Sequence, residues 1–337
     1  MSSNRETNLL RACCGRALQQ GVWLLLLFVS LRGALAAAAD RPPVDLDGFD
    51  ARKQSVALPN CATLAYVQLG KSGGVPVVLI HGYTDSASDW LPLLPYLSPG
   101  LRLIVPDLRG HGRSSAPECC YTRLDFAYDI KLLLDALGVA QADLVGHSLG
   151  SIVVQAFAEH WPERTRRVVL VSSTGGPRPG APANRVLSDF EAQIASLQDP
   201  IDANSPFMIA WWASPTTVDE EFVRRKRVES AAIPARVWHA VLEQEVEPML
   251  AGSDLQRTLP RLSAPALLIW GEKDPIIDEG MRQTLRAALP RAQVKVFAGL
   301  GHNPLWEDPA GVGEVINAFL SAAPAATTAP AGTAHPN

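Results

Sequence analysis

The stretch LVGHSLGSIVVQAFAEH (residues 144–160) changes character at a single residue, Ser148. Before it the chain is apolar without polar alternation, the mark of a strand buried on both faces. After it apolar residues recur at helical spacing. Gly146 and Gly150 stand two residues to either side of the serine. A strand that runs straight into a helix brings the two backbones nearly into contact and leaves room only for small residues at those places. Such a turn lifts the hydroxyl out of the sheet and aims the helix N-terminus at the same spot. A plain N-cap ahead of SIVVQAFAEH is the alternative reading of Ser148. The strand before and the helix after favour the exposed, nucleophilic turn.

The same alternation runs along the chain. VPVVLIHG (75–82), LRLIVPD (101–107), ADLVGHS (142–148), RVVLVSST (167–174), PALLIWG (265–271) and QVKVFAG (293–299) read as buried strands. Helical patterns lie between them, such as LDFAYDIKLLLDALG (124–138) with Phe126, Ile130, Leu133, Leu134 and Leu137 on its apolar positions. This order predicts an α/β fold with a doubly wound, mostly parallel sheet. Residues 175–264 break the rhythm with helical patterns and no convincing strand. A structureless loop of that length is rare, so the interval is expected to be a helical cap that divides the core into 37–174 and 265–321. Its Phe207, Met208, Trp211, Trp212 and Trp238 either pack the cap onto the core or line an apolar pocket. Trp211, Trp212 and Trp238 are the candidates for contact with substrate. The tail, 322–337, is rich in Ala, Pro and Thr and is expected to be disordered.

The first residues read as a targeting signal. Arg5, Arg11 and Arg16 precede the apolar run VWLLLLFVSL (22–31), and ALAAAA (34–39) offers a small-residue cleavage site. Residues 1–36 are therefore expected to be removed on export to the periplasm or the medium. An uncleaved N-terminal anchor is the alternative, but Arg32 cuts the apolar run at about half of the ~20 residues that span a bilayer. Removing the leader takes away four arginines and one glutamate, so the remainder is more acidic than the formal charge of −4. That argues against a nucleic-acid partner. The basic cluster RRKR (224–227) sits among acidic residues and reads as the solvated face of a helix. Cys61, Cys119 and Cys120 would remain, which suits one disulfide and one free thiol with the pairing open. Their spacing fits no zinc site, and no metal is expected.

A serine hydroxyl needs a base, and the base needs an orienting group. Of seven histidines, His335 is in the tail, and His160 and His239 sit in helical patterns. His147 adjoins Ser148 but would point elsewhere on so tight a turn, and His81 and His111 lie in Gly-rich loops before it. His302 lies in GLGHNPLWEDP (299–309) just past the final strand, at the sheet edge where ligand chemistry gathers. It is the candidate base. After PALLIWG come Glu272, Asp274 and Asp278. Asp274, held in a turn by Pro275, is the candidate acid and preserves the order Ser, Asp, His. The end of the preceding strand reads Ser172-Ser173-Thr174 and offers no carboxylate. The backbone N–H groups of Tyr83 and Leu149 are the candidate donors to an oxyanion.

HGYTD (81–85), PDLRGHGRSS (106–115), VGHSLGS (145–151), WGEKDP (270–275) and GLGHNPLWEDP (299–309) follow one another in this order. Together they resemble the landmarks of the α/β-hydrolase superfamily, over residues 76–319. Within it the chain is similar to the capped, single-domain serine hydrolases often called haloperoxidase-like. The resemblance implies an eight-stranded sheet, a helical cap after the sixth strand, no cofactor, and a loop shaped by Asp107, Arg109, Gly110 and Gly112. Relatives that open epoxides or remove halide use a carboxylate where Ser148 stands, which argues against those activities. The expectation is an exported hydrolase of a carboxylic ester or lactone, a small and apolar molecule, acting through an acyl-enzyme. Amide or C–C hydrolysis by the same triad is the first alternative. A non-catalytic binding protein on the same fold is the second.

Overall fold

The computed structural model describes residues 45–180, 182–251 and 255–322. The expected leader (1–36) and all but the first residue of the expected tail (322–337) lie outside them. The strands are β1 (Gln54–Ala57), β2 (Thr63–Gly70), β3 (Val75–Ile80), β4 (Leu101–Pro106), β5 (Ala142–His147), β6 (Thr165–Val171), β7 (Ala266–Gly271) and β8 (Gln293–Phe297). They form one sheet in the order β1-β2-β4-β3-β5-β6-β7-β8. β1 and β2 pair antiparallel, as do β2 and β4, and every later pairing is parallel.

Six of these strands were expected from their apolar runs. β1 and β2 complete the eight; β1 is largely exposed and so has no apolar pattern to show, whereas β2 buries only the short run Leu64, Ala65, Tyr66 and Val67 between less buried ends. β8 departs in the other sense. It was expected to be buried, yet Val294 and Val296 are 43% and 45% exposed and only Phe297 is buried. As the last strand in the order it pairs with β7 alone. Its valines fit the pleat, and they report no core.

Helix α1 (Arg123–Ala136) begins at a capping box in which Thr122 and Asp125 satisfy each other's backbone amides. It buries Phe126, Ile130, Leu133 and Leu134 and packs against α2 (Leu149–His160). Between β6 and β7 come α3 (Arg185–Ala195), α4 (Pro206–Trp211), α5 (Glu220–Ala231) and α6 (Ala235–Val241), with shorter turns and no strand among the described residues. Helices α7 (Glu279–Ala288) and α8 (Pro309–Ser321) flank β8 in sequence. Among the described residues, no helix is long and apolar enough to cross a membrane.

The junction of β5 and α2 is as tight as its glycines require. A Cβ on Gly146 would stand 2.3 Å from the carbonyl oxygen of Gly150, and one on Gly150 would stand 2.1 Å from that of Ile80. Both obstacles are main chain and neither can swing away. Ser148 takes φ +50°, a conformation that costs a non-glycine residue about 1–3 kcal/mol and persists only where the surroundings impose it. A Gly150→Ala substitution should therefore cost about 2–3 kcal/mol of overpacking. Urea unfolding measures this, and a midpoint equal to wild type would contradict the packing described.

Candidate active site

Three loops at the carboxyl ends of parallel strands meet above the sheet. Ser148 follows β5, Asp274 follows β7, and His302 lies between β8 and α8. His302 Nε2 is 2.9 Å from Ser148 Oγ, and its Nδ1 is 2.9 Å from each carboxyl oxygen of Asp274. With its Nδ1–H donating to the carboxylate, the ring presents Nε2 as an acceptor to the serine hydroxyl. Asp274 also accepts the amides of Ile276 and Ile277, at 2.9 and 3.0 Å. Burial alone would push its carboxyl up, but His302 and these two amides hold it below the usual carboxylate range. The two rival carboxylates are occupied elsewhere. Glu272 accepts from Gly299 N, and Asp278 caps α7 through Met281 N.

Ser148 and His302 open onto a cavity of about 420 Å³, within the usual range for small-molecule sites, with Asp274 buried behind them. Tyr83 and Leu149 both line it. Leu149 is the first residue of α2, so its N–H has no acceptor within the helix. Much of the wall is apolar, from Leu187 and Ile194 on α3, Leu242 and Val246 after α6, and Ile276 and Ile277 after β7. Trp211 and Trp212 are part of it, whereas Trp238 is not. Trp238 is fully buried beneath the wall, with its ring against Tyr83, Phe207 and Trp211. The expectation that it contacts substrate is therefore corrected. A tryptophan on a helix packed on both sides becomes core when its neighbours take the lining positions.

Residues 75–309 match the family described as alpha/beta hydrolase fold. The chain belongs to this family. Among relatives of known name, a 2-hydroxy-6-oxononadienedioate/2-hydroxy-6-oxononatrienedioate hydrolase of Paraburkholderia phymatum is 31% identical over 74% of this chain and 88% of its own. Lipase 3 of a Moraxella species is 25% identical over 77% of this chain and 81% of its own. The crystal structure of an esterase from a Rhodococcus species superposes with a TM-score of 0.67 at 25% identity, covering 80% of this chain and 98% of that one. Relatives on ester and on C–C bonds support hydrolase chemistry for this α/β hydrolase.

Two ionic groups under the hydrolase's cavity were not anticipated from the sequence. His147, expected to point away, has Nδ1 3.0 Å from Asp89 Oδ2 and Nε2 3.0 Å from the carbonyl oxygen of His302. The second group centres on Lys226, which was expected on a solvated face and is fully buried. It forms an ion pair with Asp85, which lines the cavity, and lies 2.8 Å from Glu229 Oε2 and 2.6 Å from Ser88 Oγ. Burial disfavours its ammonium, but Asp85 and Glu229 hold it charged well above the ordinary lysine range. Glu229 is likewise no plain surface charge, since it accepts from Ser86 and Ser88 as well. The exposed members of the same run behave as expected: Arg224 and Arg225 pair with Glu221 on the surface.

This contrast within RRKR is testable in the hydrolase. Lys226→Met strands two carboxylates without their cation and should cost about 3–5 kcal/mol. Arg224→Met, on the exposed face, should leave the urea midpoint near wild type. Equal midpoints for the two variants would contradict the buried pair.

Proposed function

We propose that the protein is an exported serine hydrolase that cleaves a carboxylic ester or lactone through an acyl-enzyme. The observation that carries this reading is the line of hydrogen bonds from Ser148 through His302 to Asp274, set against an apolar cavity. Ser148 Oγ attacks the carbonyl carbon while His302 Nε2 takes the hydroxyl proton and Asp274 steadies the imidazolium. The amides of Tyr83 and Leu149 hold the oxyanion, each donor being worth about 2.7–4 kcal/mol in a studied protease. His302 then gives its proton to the leaving alkoxide. Water, deprotonated by His302, attacks the acyl-enzyme, the acyl–oxygen bond to Ser148 breaks, and His302 returns the proton to Ser148 Oγ.

The chemistry of the wall favours a neutral substrate. Glu191 lines the cavity, Asp85 and Glu245 line it already paired with Lys226 and Arg123, and Lys273 is the one lysine or arginine among the described lining residues. A dioate such as the named C–C hydrolase relative takes would bring two more carboxylates to that wall. Export is supported by the leader-like residues 1–36. Cys119 and Cys120 lie side by side, and Cys61 is an exposed thiol.

Ser148→Ala and His302→Ala should each remove nearly all ester turnover, a loss on the order of 10⁶ in a comparable triad. Asp274→Asn that keeps the wild-type rate would contradict the assignment of the acid. Across p-nitrophenyl esters of rising acyl length, kcat/KM should grow about fourfold per methylene while space lasts, since each contributes about 0.8 kcal/mol on burial. Trp211→Ala should flatten that rise. A flat profile in the wild type would contradict an apolar acyl site.

A further inference from the structure

His147 has no part in the chemistry above, yet it adjoins the nucleophile and is 3% exposed. Its ring is held at both ends, by Asp89 at Nδ1 and by the His302 carbonyl at Nε2. The carbonyl can only accept, and so can an ionised carboxylate. The other carboxyl oxygen of Asp89 accepts the indole N–H of Trp306 at 2.9 Å. An imidazole meets two acceptors only by donating from both nitrogens, as the cation. The His302 carbonyl has a second donor in Ser172 Oγ, at 2.7 Å, so both of its lone pairs are engaged. The main chain of His302 is thus clamped from the end of β5 and from just past β6, while its ring spans Ser148 and Asp274.

We propose that His147 is a positioning residue: a buried imidazolium, fixed by Asp89, that holds the main chain of His302 so that Nε2 stays within reach of Ser148. This rests on the assignment of Ser148 and His302 as nucleophile and base. Burial opposes a charge on His147, but Asp89 and the His302 carbonyl outweigh it and raise the ring above the ordinary imidazole range. Burial would likewise raise Asp89, and His147 overcomes that and holds it ionised. Other charged or titratable groups face the pair from neighbouring elements. They are Asp85 beside the oxyanion loop, Lys226 on α5, His81 at the end of β3, and the His302 ring with its centroid 5.4 Å from that of His147. Burial keeps His81 neutral, well below the ordinary imidazole range.

Two measurements test this. In wild-type protein labelled with ¹⁵N-histidine, the ring-nitrogen shifts of His147 should report a proton on both nitrogens across neutral pH. A single-proton tautomer at pH 7 would overturn the proposal, and this reading needs no variant and no substrate. In His147→Gln, kcat for p-nitrophenyl butyrate should fall about 10²-fold, the scale of a ~1 Å misplacement, with KM changed little. A kcat equal to that of wild type, or a loss carried by KM with kcat unchanged, would overturn the positioning role. If wild type hydrolyses no ester, the hydrolase reading fails, while the proton count on His147 still stands or falls by itself.

Discussion

Everything at this site depends on the contact of two backbones at the β5–α2 turn. Gly146 against Gly150, and Gly150 against Ile80, leave no volume for a side-chain atom. That closeness forces Ser148 into a positive φ and presents its hydroxyl at the carboxyl edge of the sheet, beside the first free amide of α2. The strain is local, and the core on either side sustains it: β5 is buried along its whole length and α2 along most of its own. Loosening the turn by a fraction of an ångström would spoil the 2.9 Å contact with His302.

The sheet supplies the rest by topology. β5, β6 and β7 are neighbours and parallel, so the loops that follow them end on one edge. Ser148, Ser172 and Asp274 come from those three loops, and His302 arrives from the loop after β8. The helical insertion is held down by charge as well as by apolar packing. Lys226 reaches from α5 to Asp85, two residues beyond Tyr83, and so ties the insertion to the segment that carries one candidate oxyanion donor. An ion pair of this kind adds little net stability over apolar residues of the same shape, but it is costly to break and specific in position. It fixes where the insertion sits relative to the nucleophile.

The parts of this arrangement that were legible in the sequence are the local ones. Gly146, Ser148 and Gly150 announce the turn because backbone contact constrains residue type within five positions. Asp274 was picked out because it follows the buried β7, and His302 because it follows β8, whose valines marked a strand although it is largely exposed. His147 and Asp89 were missed since their partnership spans 58 residues, and that of His147 with the His302 carbonyl spans 155, with no periodic trace. Lys226 was hidden differently. Phe222, Lys226 and Ser230 form the buried stripe of α5 at four-residue spacing, and a run of four basic residues masks which of them points inward. Trp238 and the valines of β8 show the converse limit, for apolar type alone does not say whether a side chain meets core, cavity or solvent.

The central claim is that Ser148 is the nucleophile of this α/β hydrolase. The most direct measurement is peptide mapping by mass spectrometry after treatment with a fluorophosphonate, which phosphonylates only an activated hydroxyl. The account predicts one adduct, on the peptide that carries Ser148, and none after His302→Ala at equal exposure. An adduct on a different residue, or an unmodified Ser148 in folded protein, would contradict it.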